Sequence, residues 1–247
     1  MKIAYASDRG RVRSTNQDYA GVFINKVGTQ LAIVADGVGG ENGGDVASTM
    51  AVSHLGNEWQ QTGINDLAAA QAWVKDYVSS ENETIVQAAK RYKTLQGMAT
   101  TIVMAVILPD RVGIANLGDS RAYLIRQQAI TQLTEDHNLA EELVQHGAIT
   151  PAQARKHPGR NVITRQLGAD TVTDVDWFEL PLQAGDYLLM TSDGMVKHLD
   201  NRAILQSILA GGDGLATTVK TLIEQTNQAG GSDNITVLLG YQESEGQ

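Results

Sequence analysis

The chain has 247 residues, of which 42% are hydrophobic and 19% are charged, proportions that are ordinary for a globular protein. It contains no cysteine, which excludes disulfides, thiolate metal sites and a cysteine nucleophile. The formal net charge of −9 argues against nucleic acid or an anionic membrane surface as a partner, because both bind basic surfaces. The longest apolar runs are much shorter than the roughly 20 residues of a membrane span, so we expect a cytoplasmic protein.

Predicted strands and helices occur in blocks along the chain. Short β-branched segments bounded by glycine or aspartate predict strands over Gln30–Ala35, Thr100–Leu108, Arg111–Leu117, Ala122–Arg126, Tyr187–Thr191 and Ile235–Leu239. Helices are predicted over Asp45–Gln60, Asn65–Tyr92, Leu139–His146, Asn201–Leu209 and Leu215–Gln228. Strand and helix do not alternate regularly, so the pattern favours α+β layers over a parallel Rossmann-type sheet.

Four of the predicted strands have an aspartate beside glycine at one end. Asp36 and Asp193 each follow a strand, Asp119 follows another, and Asp233 stands just before the last strand. A single Asp-Gly pair is usually only a turn. Four such aspartates, each at the end of a different strand, favour a shared cluster of carboxylates.

A carboxylate cluster is typical of a site for hard divalent cations. Oxygen-only ligands suit Mg²⁺ or Mn²⁺ rather than zinc. No twelve-residue segment has the alternating acids and terminal glutamate of an EF-hand, and the five histidines lack the close pairing of a zinc site. The sequence therefore predicts a magnesium or manganese cluster.

A further candidate is the N-terminal segment Arg13-Ser-Thr-Asn-Gln-Asp18. Arginine holds phosphate oxygens bidentately, and Asp18 adds another acid to the site. Most arginines in such segments are simply solvated, so this motif alone leaves both interpretations open.

Taken in order, the motifs resemble the series found in metal-dependent protein phosphatases, the type 2C serine/threonine class. The compact length is similar to that of the bacterial branch of this family. The motifs are Arg13-Ser-Thr-Asn-Gln-Asp18, Asp36-Gly-Val-Gly-Gly40, Gly97-Met-Ala-Thr-Thr101, Asn116-Leu-Gly-Asp-Ser-Arg121, Thr134-Glu-Asp-His137, Asn161-Val-Ile-Thr-Arg-Gln-Leu-Gly168, Thr191-Ser-Asp-Gly194 and Gly231-Ser-Asp-Asn-Ile-Thr236.

The resemblance implies one catalytic domain over residues 1–247 with an α+β fold. This fold is a four-layer αββα sandwich, in which helices flank two central antiparallel β-sheets. The implied enzyme is a serine/threonine protein phosphatase in which two or three Mn²⁺ or Mg²⁺ ions activate water for attack on phosphorus. Its substrates would be phosphoserine and phosphothreonine proteins made by a cognate serine/threonine kinase, and we expect a monomer.

Residue roles follow from the same resemblance. Asp36 is expected to bridge two metals, with the carbonyl of Gly37 on one of them. Asp193 and Asp233 are expected to bind the other metal, and Asp18 to act on the metals through water. Asp36 and Asp193 are therefore expected to be essential for catalysis.

Two further roles and two departures complete the comparison with the family pattern. Asp119 is expected to hold a third, weaker ion, and Arg13 is expected to bind the phosphoryl group of the substrate during catalysis. Val38 stands where eukaryotic members have a histidine proposed as general acid, so protonation of the leaving group must come from elsewhere. Gln17 replaces a glutamate, which weakens any ligand role there.

Residues 134–168 combine a short helix with Gly147, Pro151, Pro158 and Gly159, a composition that predicts a flap beside the site. A surface insertion without function would have the same composition.

Other functions remain as alternatives. A small-molecule phosphatase is the second choice of enzyme. An aspartyl-phosphate mechanism would need Asp-x-Asp followed by a threonine-like residue, and the candidate Asp174-Val-Asp176 precedes Trp177 instead. A catalytically inactive phosphoprotein-binding protein would lack metal-binding aspartates, and none is missing. A purely structural metal protein would leave Arg13 and the Asn161–Gly168 motif without a role.

Overall fold

A computed structural model describes residues 1–38, 43–169, 174–211 and 214–243. Within these ranges, eleven strands form two antiparallel sheets, and helices cover their outer faces. Gly39 and Gly40, which complete the motif that begins at Asp36, lie outside the described residues. No helix in the described ranges is both long enough and apolar enough to cross a membrane.

The strands are β1 (Lys2–Asp8), β2 (Asp18–Ile24), β3 (Gln30–Val38), β4 (Ala99–Thr100), β5 (Ile102–Ile107), β6 (Arg111–Leu117), β7 (Arg121–Arg126), β8 (Ala129–Gln132), β9 (Asp176–Pro181), β10 (Tyr187–Thr191) and β11 (Ile235–Tyr241). The helices are α1 (Gly44–Gln60), α2 (Leu67–Arg91), α3 (Leu139–Gln145), α4 (Pro151–Ala154), α5 (Asp193–Val196), α6 (Asn201–Ala210) and α7 (Leu215–Gln228).

Each of the two sheets combines strands that are consecutive in sequence with strands that are distant in sequence. One sheet has the order β1-β11-β10-β7-β8, and the other has the order β2-β3-β5-β6-β9 with β4 paired to β3. All of these pairs are antiparallel. Because β10 and β11 are antiparallel neighbours, the residues after β10 and those before β11 meet at the same end of the first sheet.

Successive side chains of a strand point to opposite faces, and this alternation produces three apolar layers. In β3, Leu31 and Ile33 pack against α1 and α2, whereas Ala32 and Val34 pack between the two sheets. The same alternation in β10 and β11 turns every second residue toward α5, α6 and α7. The result is the predicted four-layer αββα sandwich.

One predicted strand needs a correction. The segment Thr100–Leu108 was expected to be continuous, but it divides at Thr101 into β4 and β5. The Thr101 N–H donates to the carbonyl of Asp36 at 2.9 Å, and the Asp36 N–H donates to the Thr101 hydroxyl at 3.1 Å. A side chain thus replaces a backbone carbonyl at this point of the sheet, and the strand is interrupted.

Residues 134–168 lie outside both sheets and carry α3 and α4. An isolated antiparallel bridge between Asn138 and Ile163 joins two parts of this segment. A second bridge, between Leu167 and Thr100, joins the segment to the rest of the fold. The segment is therefore anchored to β4 close to Asp36. Its role as a flap stays a prediction.

The layer between the sheets can be tested at Leu188, which is 0% exposed. Leu188→Ala should lower the free energy of unfolding by about 2–5 kcal/mol, because it removes buried methyl groups and leaves a cavity. Urea unfolding followed by circular dichroism measures this change. Leu209→Ala on α6 is the matched control, because Leu209 is 43% exposed and should lose less than about 1 kcal/mol. Equal losses in the two variants would contradict the placement of Leu188.

Candidate active site

The predicted acidic residues converge where the two sheets meet. Asp18 opens β2 and lies directly across the ladder from Asp36 in β3. Asp193 is the first residue of α5, immediately after β10, and Asp233 stands two residues before β11. Asp119 lies in the turn between β6 and β7. Antiparallel register and short connections therefore bring residues from five parts of the sequence together.

Asp36 is held by the backbone of the neighbouring strand segment. Its carbonyl accepts from the Thr101 N–H and from the Thr100 hydroxyl at 3.0 Å. The next residue, Gly37, fits because a Cβ there would overlap the backbone of Gly44 and Gln17. Only glycine allows these three backbone segments to approach so closely, which places the Gly37 backbone beside the Asp36 carboxylate.

Asp18 connects the two sheets. Its Oδ2 atom accepts hydrogen bonds from the hydroxyls of Ser192 and Thr236, each at 2.7 Å. Ser192 follows β10 and Thr236 lies in β11, so both donors come from the opposite sheet. The other oxygen of Asp18 is buried and has no hydrogen-bond partner among the residues that the structure describes.

Burial and mutual repulsion make ionisation of three carboxyl groups unfavourable. Burial raises the pKa of Asp18 to about 7, against the lowering effect of Ser192 and Thr236. Burial, followed by repulsion from the other four aspartates, holds the pKa of Asp36 well above its usual range. Burial and the charges of Asp193 and nearby acids raise the pKa of Asp119 to about 8. Lys197 offsets this effect only in part at Asp119, so the pKa values of all three groups stay raised.

Asp193 and Asp233 differ from the others because two cations reach them. The Lys197 ammonium lies 2.6 Å from an oxygen of Asp193 and 2.7 Å from an oxygen of Asp233. Arg13 also pairs with Asp233, at 2.8 Å from Nε to Oδ1. Burial raises the pKa of Asp193 despite Lys197. Burial opposes ionisation of Asp233 as well, but Lys197 and Arg13 outweigh it and lower its pKa.

The turn that carries Asp119 is fixed by a buried histidine. The Gly118 N–H donates to Nδ1 of His137 at 3.0 Å, and the His137 N–H donates to the Gly118 carbonyl at 3.0 Å. Nε2 of His137 lies 2.9 Å from Asp176, which implies that Nε2 carries the proton. His137 belongs to the 134–168 segment, so this segment supports the Asp119 turn.

Comparison with known proteins identifies this arrangement. Residues 8–239 match the family described as Protein phosphatase 2C. The chain belongs to the protein phosphatase 2C family.

Similar proteins cover almost the whole chain. The serine/threonine phosphatase stp of Listeria welshimeri is 40% identical over 97% of this chain and 95% of its own. The structure of the Streptococcus agalactiae serine/threonine phosphatase superposes with a TM-score of 0.94 and 38% identity, covering 98% of this chain and 99% of that one. The catalytic domain of the phosphatase PstP, in complex with two manganese ions, gives a TM-score of 0.79 and 32% identity over 96% of each chain. The predicted fold and the predicted class, a metal-dependent protein phosphatase, are confirmed with the family.

The donor set fits the metal dependence of the protein phosphatase 2C family. Asp18, Asp119 and Asp193 each have a buried carboxylate oxygen to which no group in the described part of the chain donates a hydrogen bond. Buried acceptors are rarely left unpaired, and hard divalent cations bind such oxygens. No three histidine or acidic side chains of the described residues are arranged as a finished metal site, however. Two of the aspartates are paired with Lys197 and Arg13 instead.

A cleft of about 820 Å³ opens beside these carboxylates. Asp119, Asp193 and Lys197 line one side, and Arg160 and Asn161 of the 134–168 segment line another. A polypeptide bound in this cleft would contact both the aspartates and the segment predicted to be a flap.

Several residues with roles at the site were not singled out by the sequence. Ser192, Thr236 and Thr101 lie inside the quoted motifs, where their hydroxyls could have been considered as partners for the aspartates. Lys197 lies just beyond a motif, and its spacing of four residues from Asp193 on one helical turn was the only sequence pattern that indicated it.

The raised pKa of Asp119 predicts how stability depends on pH when metal is chelated. The folded protein holds the Asp119 proton up to about pH 8, whereas the unfolded chain releases it near 3.9. The folded state therefore binds more protons between these values, and stability falls as pH rises through this range. In EDTA, the thermal midpoint should decrease from pH 5 to pH 8.5, and Asp119→Asn should weaken the decrease.

Asp76→Asn is the control for this experiment, because Asp76 is exposed on α2. It should leave the slope of thermal midpoint against pH unchanged. A wild-type midpoint that rises with pH in EDTA would contradict the protonation state assigned to Asp119.

Proposed function

We propose that this enzyme is a serine/threonine protein phosphatase that hydrolyses phosphoserine and phosphothreonine with the help of Mn²⁺ or Mg²⁺. The observation that carries the proposal is the convergence of carboxylates at the sheet ends, with unpaired buried oxygens on Asp18, Asp119 and Asp193. Relatives that are named serine/threonine phosphatases support the substrate class. The two manganese ions in the PstP structure support at least two metals here.

The acidic residues of the site would have separate roles. Asp36, the Gly37 carbonyl, Asp193 and Asp233 would hold two cations, and Asp18 would orient water near them. Bound divalent cations supply activated water at neutral pH and stabilise the charge that develops around phosphorus. Asp119, which lies in the turn between β6 and β7, would bind a third and weaker cation.

Binding of the phosphoryl group is assigned to Arg13. Its side chain is 49% exposed and extends from the loop between β1 and β2 to Asp233. A guanidinium at this point can present two parallel N–H donors to phosphate oxygens. Its contribution is positioning and charge stabilisation rather than covalent chemistry.

We infer protein substrates rather than small phosphate esters from the size of the cleft. The cleft beside Asp119 and Asp193 has room for peptide residues that flank a phosphoserine. A single domain with a flap over residues 134–168 would form its walls. A cognate serine/threonine kinase would supply the substrates, and we expect the enzyme to act as a monomer in the cytoplasm.

The substrate class and metal requirement can be tested together. Phosphoserine and phosphothreonine peptides should be hydrolysed faster than phosphotyrosine peptides, and only with Mn²⁺ or Mg²⁺ present. Asp193→Asn should reduce kcat by orders of magnitude, because it removes the charge of a ligand. EDTA should abolish activity, and added Mn²⁺ should restore it.

Asp76→Asn serves as the control, since its charge change lies on the outer face of α2. Near-normal Mn²⁺-dependent turnover by folded Asp193→Asn protein would refute the ligand assignment. A preference for small phosphate esters over phosphopeptides would favour a small-molecule phosphatase.

The third cation is tested by Asp119→Ala. The variant should keep its affinity for inorganic phosphate, because Asp36, Asp193 and Asp233 remain. It should lower kcat and move the Mn²⁺ dependence of turnover to higher concentrations. Steady-state kinetics on p-nitrophenyl phosphate across a series of Mn²⁺ concentrations measures both. Superimposable curves for wild type and variant would exclude a third-metal role for Asp119.

A further inference from the structure

Asp233 differs from the other acidic residues of the site because its acceptor capacity is full. A carboxylate offers about four lone pairs. Oδ1 faces Nε of Arg13 at 2.8 Å and accepts from the Asn234 N–H at 3.0 Å. Oδ2 accepts from Nη2 of Arg13 at 3.0 Å and from Lys197 at 2.7 Å. Four donors thus occupy the four positions.

The other carboxylates can accept a cation without losing a partner. Asp18, Asp119 and Asp193 each keep one buried oxygen that no described group contacts by a hydrogen bond. A divalent cation that binds Asp233 must instead displace at least one of its donors.

Arg13 is the donor that can leave most readily. Within the described residues, the hydrogen bonds of its guanidinium all go to Asp233, and half of its side chain is exposed to water. Lys197 is only 24% exposed and remains paired with Asp193 if it releases Asp233. The Asn234 N–H is part of the backbone and cannot move away without changing the loop.

We propose that Arg13 and a divalent cation compete for Asp233, so that metal loading releases Arg13 to bind the phosphoryl group. This inference rests on the proposed function, which places a metal on Asp233 and the phosphoryl group on Arg13. The bidentate Arg13–Asp233 pair and a metal on Asp233 are then mutually exclusive.

Because Arg13 and the metal compete for Asp233, phosphate and metal should each strengthen the binding of the other. A phosphate that draws Arg13 away leaves Asp233 open to metal, and metal on Asp233 leaves Arg13 open to phosphate. The two effects are equal by linkage. Removal of the Arg13 charge should therefore tighten metal binding in the absence of phosphate, whereas an arginine that only binds substrate would leave metal affinity unchanged.

The test is a calorimetric titration of metal-free protein with Mn²⁺ in phosphate-free buffer. Arg13→Gln should tighten Mn²⁺ binding by about two- to fivefold, the range expected for an ion pair at an exposed position. Arg9→Gln is the matched control. It makes the same change in net charge within the same loop, but the Arg9 side chain donates to the Ser14 carbonyl instead of a carboxylate. It should leave Mn²⁺ affinity at the wild-type value.

A second arm adds inorganic phosphate to the same titrations. Phosphate should tighten Mn²⁺ binding to the wild type, and by a smaller factor to Arg13→Gln, because the competitor is already absent. Arg13→Gln that binds Mn²⁺ no more tightly than Arg9→Gln would overturn the competition. Weaker binding would overturn it as well, since Arg13 would then support Asp233 rather than block it.

Asp233→Asn separates this inference from the proposed function. If the proposed site is correct, the variant loses affinity for Mn²⁺ whatever the behaviour of Arg13. Unchanged Mn²⁺ affinity in Asp233→Asn would refute the metal assignment itself, and the competition with it. Weakened binding in Asp233→Asn together with equal affinities for Arg13→Gln and Arg9→Gln would refute the competition alone.

Discussion

Repulsion between buried negative charges is the constraint around which this site is built. Burial makes the largest contribution to the raised pKa of Asp36, and repulsion from the other four aspartates raises this pKa further. An isolated buried carboxylate is costly unless it is paired. The fold supplies partners unevenly, with hydroxyls for Asp18 and cations for Asp193 and Asp233, and leaves the rest of the negative charge to be neutralised by bound metal.

The sandwich makes this concentration of charge possible because the sheets are rigid and meet at one place. Packing in the three apolar layers fixes the positions of β3, β10 and β11 independently of the polar contacts at the site. The bonds from Ser192 and Thr236 to Asp18 then join the sheets at the site itself. A residue of the predicted metal site on one sheet is thus oriented by donors on the other, so the geometry of the site depends on the packing between the sheets.

The sequence predicted the central strands and the aspartates because both leave local patterns. β6 and β10 have the predicted bounds, and β3 begins at Gln30 as predicted but continues through Asp36 to Val38 instead of ending at Ala35. β1, β2 and β8 were missed because their burial is mixed, so none of them contains a continuous apolar run. Lys197 and Asp233 are 36 residues apart in sequence. They come into contact because β10, which leads into α5, pairs with β11, which follows Asp233. No local pattern contains that information.

The two bidentate arginine pairs near the site show how exposure separates a fixed contact from an exchangeable one. Arg121 holds Asp136 with N–H groups at 2.6–3.1 Å, donates to the Tyr123 hydroxyl as well, and is 27% exposed. Breaking it would leave two poorly solvated charges, which is strongly unfavourable. Arg13 makes the same fork to Asp233 but is 49% exposed, so water can solvate it when it leaves. The more exchangeable of the two arginines therefore lies on Asp233, the carboxylate proposed to bind a metal.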